Sequence, residues 1–163
     1  MKKPSNRRWV LFIPLAVLTA IVWLFASELA APKVQGYIES PLIGQPMPDI
    51  GIDLPEGPFV LNFFASWCTP CAVEHSNLMQ MQKGGVKIIG VAYKDSRKNI
   101  TDWLKRRGNP YMAYEHDKGA AIAMGITGVP ESFAVDKNHI VRARFQGPLE
   151  EQSTVDEFLR TMQ

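Results

Sequence analysis

Polar and apolar positions divide the chain into blocks of different period. Residues 9–26, from Trp9 to Ala26, carry no charged side chain. As a helix that stretch would span about 27 Å, close to the hydrocarbon thickness of a bilayer. Trp9 and Trp23 stand near its two ends, where amphipathic rings favour a membrane interface. Residues 27–57 follow, punctuated by Pro32, Pro41, Pro46, Pro48 and Pro55 and by four glycines, which reads as a spacer and short extended pieces. Phe59–Ala65 is apolar except for Asn62, the pattern of a strand buried on both faces. A helix is expected from Thr69 to Lys83, stopped by Gly84-Gly85, then a strand over Val86–Tyr93. Asp95 or Ser96 can cap a helix over Arg97–Arg107, with Ile100, Trp103, Leu104 and Arg107 on one face and Gly108 as its stop. Tyr111–Glu115 reads as a short strand, and Asp117 as the cap of a short helix ending at Gly125. Ser132–Val135 and Ile140–Phe145 are expected to pair through a turn at Asp136-Lys137-Asn138. A last helix places Val155, Phe158, Leu159 and Met162 on one face. The order βαβα, then ββα, predicts an α/β domain with a mixed central sheet flanked by helices.

Charge fixes the direction of the first segment. Lys2, Lys3, Arg7 and Arg8 precede the apolar stretch and Glu28 follows it, so the positive-inside rule puts the amino terminus in the cytoplasm. The organisation read from this is a basic cytoplasmic tail (1–8), a transmembrane anchor (9–26), a linker (27–40) and an extracytoplasmic domain (41–163). Leu29-Ala30-Ala31 offers the small residues of a signal-peptide cleavage site, but the apolar run exceeds a usual signal core. A soluble core helix is the third reading. The first two both place the domain in an oxidising space. Beyond the tail the chain carries 14 basic and 16 acidic residues and no basic run, which argues against nucleic-acid binding.

Only two cysteines are present, Cys68 and Cys71, spaced C-x-x-C where a buried strand meets a helix. A zinc site needs about two more ligands, and His75, His116 and His139 form no second pair at metal-site spacing. A purely structural bridge across so short a loop removes little chain entropy. Thiol–disulfide exchange fits both spacing and place. Cys68 at the helix start would be the nucleophile, since unpaired N–H groups and the dipole favour its thiolate. Cys71, one turn in and more buried, would resolve the mixed disulfide. Pro70 suits an early helical position, and Trp67 is placed to shield the sulfurs. Cys71, Glu74, Leu78 and Met81 share one helix face, so Glu74 is a carboxylate turned toward the core. Burial would raise its pKa and let it exchange a proton with Cys71. The alternative is a solvated first-turn glutamate favoured by the dipole.

Phe-Ala-Ser-Trp-Cys-Thr-Pro-Cys after an apolar strand, and Gly-Val-Pro-Glu some sixty residues on, resemble the thioredoxin superfamily. Glu74-His75, Tyr93-Lys94-Asp95, Gly108-Asn109-Pro110-Tyr111 and Gly125–Phe133 resemble more closely the CcmG/DsbE family, membrane-anchored thiol:disulfide interchange proteins of cytochrome c biogenesis. The resemblance covers about residues 40–160. It implies a thioredoxin-like fold and a cis Val129-Pro130 bond facing the cysteines, with the Val129 backbone pairing to a substrate strand beside Trp67, Thr69 and Pro70. It implies that Glu131 joins Glu74 in an acidic environment that restrains thiolate formation and suits a reductant. Tyr93 and Asp95 are candidates to line the same cleft. The substrates implied are the disulfide of the apocytochrome c haem-attachment motif or a maturation partner, and the electron donor implied is a membrane thiol reductase of the DsbD/CcdA type. The place implied is the bacterial inner membrane, with the catalytic domain in the periplasm. No metal or organic cofactor is expected beyond the redox-active cysteine pair. Ser132 stands where threonine is common, and the short Gly51–Gly57 segment predicts a trimmed amino-terminal hairpin. A broad reductase of the TlpA/ResA type, an oxidase, and an apocytochrome-binding module with secondary redox chemistry remain as alternatives.

Overall fold

A computed structural model describes residues 12–30, 36–117 and 119–162. The chain divides into a unit ending at Val34 and a compact unit from Gln35 onward. In the first, α1 runs over Ile13–Ala30. Its apolar residues are spread around the helix instead of gathered on one side. Pro14 falls in the first turn, where its missing N–H costs no helical bond. Residues 9–11 of the expected span lie outside the described residues, and the helix continues four residues past Ala26. Among the described residues no helix is long and apolar enough to cross a membrane, so the membrane helix expected over 9–26 is not found as such.

The second unit is built on β1 (Phe59–Phe64), α2 (Thr69–Lys83), β2 (Ile88–Ala92), α3 (Arg97–Arg107), β3 (Ala113–His116), α4 (Ala120–Ala123), β4 (Glu131–Val135), β5 (Val141–Gln146) and α5 (Gln152–Arg160). The sheet order is β3-β2-β1-β4-β5, with β1, β2 and β3 parallel and β4 and β5 antiparallel to their neighbours. The period of two along β1 sorts the core. Val60 and Phe64 face the layer of α2, α3 and α5, while Phe59, Leu61 and Phe63 face α4 and the segment around Ile50. Asn62 points with Val60 and Phe64, into the α2 side of the sheet, and is fully buried.

Local chemistry sets the helix ends. Ser96, not Asp95, caps α3, its Oγ accepting from the Asn99 N–H. Asp117 accepts the Ala121 N–H at the start of α4, although that helix is only one turn long. The strands are one or two residues displaced from the sequence reading, β2 being trimmed by the Gly84–Lys87 connection.

No strand forms between residues 36 and 57 apart from isolated bridges at Tyr37 and Pro46. Instead residues 36–47 lie along the outer edge of β5. The Gln146 N–H donates to the Gly36 carbonyl, Ile38 N–H to Arg144, Gly44 N–H to Val141, and Met47 N–H to His139. This strap pairs an edge that would otherwise be open. It replaces the trimmed hairpin that the short Gly51–Gly57 segment led us to expect. Gly36 has φ +110° and lies so close to the Phe145 ring that a Cβ would overlap it.

Candidate active site

The two cysteines stand where β1 ends and α2 begins. They form a disulfide, S–S 2.07 Å, with Cα atoms 5.3 Å apart. Cys68 is the N-cap of α2, and Pro70 occupies the first helical turn. The Cys71 N–H donates to Cys68 Sγ at 3.1 Å, an unspent amide of the helix terminus aimed at the sulfur. In the reduced protein that donor and the helix dipole favour thiolate on Cys68. Cys68 is 4% exposed and Cys71 2%, so both sulfurs are nearly covered and the expected contrast between them is small. Trp67, Thr69 and Pro70 are exposed around them.

Across from the pair, Cys68 Sγ lies 3.5 Å from the Val129 carbonyl oxygen. The Val129-Pro130 bond is cis. Val129 is half-buried and Pro130 buried, so a backbone edge is presented beside the reactive sulfur. The loop before Cys68 is fastened by the segment that follows β2. Asp95 Oδ2 accepts the Ser66 N–H at 2.6 Å, and the Trp67 indole N–H donates to the Lys94 carbonyl at 3.2 Å. Lys94 adopts φ 48°, an uncommon conformation for a residue with a Cβ. Burial acts to raise the Asp95 pKa, but hydrogen bonds from Ser66, Ser96 and Asn99 outweigh it and hold the carboxylate below its usual range. Tyr93 is half-buried, packed on the same cluster as Val129, with the Lys94 ammonium 4.7 Å from its ring centre.

Glu74 is fully buried, one turn after Cys71 on the same face of α2. Its Oε1 accepts from Asn62 Nδ2 at 2.9 Å and its Oε2 from the Leu149 N–H at 3.1 Å. Burial raises its pKa from 4.5 to about 7, against the lowering effect of those two donors. The solvated first-turn glutamate does not occur. His75, next in the chain, is also buried; it packs edge-on against Trp103 at 4.5 Å and its Nε2 donates to the Gly108 carbonyl. Burial pushes its pKa down.

Glu131 is placed differently from the sequence expectation. It pairs with Phe63 across the sheet, and so faces the α4 side, whereas Ser132 pairs with Asn62 and faces Glu74. The two carboxylates thus lie on opposite faces and do not form one acidic pocket. The alternation of side chains along β4 is the reason. Glu131 Oε2 forms an ion pair with Arg144 Nη2 at 2.7 Å and also accepts from its Nε. Its Oε1 accepts from the N–H groups of Thr127 and Gly128 and from the Thr127 hydroxyl. Glu131 is therefore charge-matched and holds the loop that leads to Val129. Among the described residues no three His, Cys, Asp or Glu side chains are grouped to hold a metal ion.

Comparison with known proteins decides the family. The Redoxin family matches residues 49–159. Thiol:disulfide interchange protein DsbE of Escherichia coli (strain K12) is 34% identical over 88% of this chain and 88% of its own. The protein of the same description from Vibrio cholerae is 36% identical over 85% of each. This chain belongs to the DsbE family of thiol:disulfide interchange proteins. A solved thiol:disulfide interchange protein of the thioredoxin family from Chlorobium tepidum TLS is similar with TM-score 0.58 and 27% identity, over 65% of this chain and 79% of that one. The fold is thioredoxin-like, and the Cys68–Cys71 pair makes this DsbE-family chain a thiol:disulfide oxidoreductase.

Four residues of this DsbE-family site escaped the sequence reading: Asn62, Tyr111, Ser132 and Arg144. Asn62 carried a signal, as the one polar residue in a strand otherwise apolar. Tyr111 sits in a loop, and its O–H donates to Asn62 Oδ1 at 2.9 Å across 49 positions of sequence. Arg144 carries no signal in the sequence, because its partner Glu131 lies on the neighbouring strand two positions out of register with it, opposite Gln146.

Proposed function

We propose that this protein is an extracytoplasmic reductase that opens the disulfide of the haem-attachment Cys-x-x-Cys-His of apocytochrome c, or of a maturation partner holding it. The observation that carries the exchange chemistry is the Cys68–Cys71 pair with Glu74 sealed in the core one turn after Cys71, placed to exchange its proton, and the reductive direction rests on the likeness to the DsbE family. The family supports the client class, because the chain resembles the CcmG/DsbE group along most of its length.

In the reduced protein the Cys68 thiolate attacks one sulfur of the client disulfide, whose other sulfur leaves and takes a proton. Cys71 then passes its proton to ionised Glu74 and attacks Cys68 Sγ. The mixed disulfide breaks, the Cys68–Cys71 bond forms, and the client's second sulfur leaves as a thiolate that takes a proton from solvent, so the client departs as a dithiol with two electrons gained. Glu74 near pKa 7 can hold or release a proton at neutral pH with little bias. The Val129 carbonyl beside Cys68 offers a hydrogen-bond acceptor to an extended client segment. Recharging needs a dithiol donor, for which a membrane thiol reductase of the DsbD/CcdA type fits. The cysteine pair is the redox group, with no metal or organic cofactor.

We place the protein in the bacterial inner membrane, amino terminus in the cytoplasm and domain in the periplasm. The uncharged stretch 9–26, overlapping α1, and the basic residues before it support this reading. Retention of the intact chain in alkali-washed membranes supports the anchor; a mature chain starting near residue 30 sinks it.

The test of function is a trap. In Cys71→Ser, Cys68 stays bonded to whatever it attacks. Capture of apocytochromes and maturation factors is the expected catch, read by mass spectrometry. A broad mixture of extracytoplasmic proteins would overturn the dedicated role and leave a general reductase.

A further inference from the structure

Glu74 is one end of a buried hydrogen-bonded row. Asn62 Nδ2 donates to Glu74 Oε1 at 2.9 Å and to Ser132 Oγ at 3.0 Å, while Asn62 Oδ1 accepts the Tyr111 O–H at 2.9 Å. Asn62, Glu74 and Ser132 are fully buried and Tyr111 is 5% exposed. Three features of the fold support this contact. Gly90 is the β2 partner of Asn62, and a Cβ there would come within 2.9 Å of the Tyr111 ring, so the missing side chain is what lets the ring lie across the strand. Phe64 stacks on that ring at 4.5 Å. Asn109 Oδ1 accepts the Tyr111 N–H, setting the turn that delivers it. This is the Gly-Asn-Pro-Tyr motif, to which the reaction itself assigns no part.

An amide side chain has a donor end and an acceptor end, and its effect on a carboxyl depends on which end it turns. With the NH2 toward Glu74 it favours the carboxylate; with the oxygen toward Glu74 it favours the protonated acid. Tyr111 favours one orientation: a phenol donates more strongly than it accepts, and by donating to Asn62 Oδ1 it keeps the NH2 toward Glu74. We propose that Asn62 and Tyr111 are positioning residues that set the proton affinity of Glu74, Tyr111 by fixing the orientation of the Asn62 amide. The inference rests on the reading of Glu74 as the proton acceptor for Cys71.

Glu74 has one other donor, the Leu149 N–H on Oε2, which is a fixed backbone group; the Asn62 amide is the donor whose orientation can change. The titratable groups near it are the Tyr111 phenol and, one turn earlier on its own helix, the Cys71 thiol of the reduced protein. β1 and β4 present neutral Asn62 and Ser132, and the segment after β5 presents the Leu149 N–H. Burial and the negative charge of Glu74 push the Tyr111 phenol well above its usual pKa, so it remains a donor at every pH of interest.

The test uses the full-length chain labelled with 13C at its glutamate carboxyls and titrated by NMR, with Glu74→Gln identifying the Glu74 signal. Tyr111→Phe frees the amide to turn, and the Glu74 midpoint is expected to rise by about 0.5–1 pH unit. A purely structural tyrosine would lower stability without moving that midpoint. Placing 3-fluorotyrosine at position 111 strengthens the donor in the same shape, and the midpoint should fall. That variant keeps the test sound if Tyr111→Phe folds poorly. A midpoint that holds to within about 0.2 unit in the folded variants overturns the relay. The thiol absorbance titration of reduced Glu74→Gln separates the two readings. If that titration matches the parent, Glu74 takes no proton from Cys71 and the catalytic meaning of the relay falls with it. If it shifts while Tyr111→Phe leaves the Glu74 midpoint in place, only the relay is lost.

Discussion

Glu74 makes the stability of the oxidised protein depend on pH in a defined window. Unfolded, the carboxyl ionises near 4.5; folded, near 7. Between those values the folded state keeps a proton that the unfolded chain has lost, so stability falls as pH rises through the window and levels off above it. The fall is on the order of 3 kcal/mol. Glu74→Gln should flatten it, giving a protein less sensitive to pH between about 4.5 and 7 in chemical denaturation, while the parent loses stability across the same range. Asp95 works in the opposite sense and elsewhere: its lowered pKa stabilises the fold above the unfolded value, and that contribution disappears only as pH drops through the carboxylate range. At this scale the sequence was informative where one helix face settled the matter. Cys71, Glu74, Leu78 and Met81 are all buried, the outcome that their one-face spacing favoured over a solvated Glu74. It was silent on Asn62–Tyr111, because that contact depends on an absent side chain at Gly90 and a loop from far along the chain.

Among the elements, helices were easier to read than strands. The ends of α2 and α3 fall where the sequence puts them, because a proline, a serine cap and terminal glycines act within one or two residues. Strand faces needed the pairing itself. Glu131 and Ser132 are neighbours, yet they serve opposite sides of the sheet, and only the register with Phe63 and Asn62 tells which is which. The Glu131–Arg144 pair joins β4 to β5 in the interior, its side chains 0% and 8% exposed. Arg144→Met would leave an unmatched buried carboxylate and should destabilise the protein by about 3–5 kcal/mol. Adding Glu131→Gln to it removes the uncompensated charge, and denaturant titration should show much of the loss recovered. If the double variant is as unstable as the single one, the cost lies in packing against Phe133, whose ring the guanidinium faces at 5.6 Å.

Taken as a whole, the domain from Gln35 to Gln163 depends on a segment with almost no regular structure of its own. Residues 36–47 close the β5 edge and reach Gln146, whose side chain touches Thr127 and Glu131 beside the Val129 loop. Proline and glycine spacing foretold an extended segment, but not the edge it covers, since strap and strand are about a hundred residues apart. Gly36→Val would set a branched side chain against the Phe145 ring at a φ that such residues avoid. The Gln146 amide, which donates to the Gly36 carbonyl, should then exchange with solvent at least about tenfold faster. The central Phe133 amide should keep its protection.

Trp67 gives the site an optical consequence. Its indole is tied to the Lys94 carbonyl and stands next to the disulfide in sequence, more than half exposed. Disulfides quench the emission of neighbouring indoles, so reduction should brighten the protein, and Trp67→Phe should remove most of the change, leaving the emission of Trp9, Trp23 and Trp103 as background. Electron transfer to and from this molecule can therefore be followed in real time by its own fluorescence.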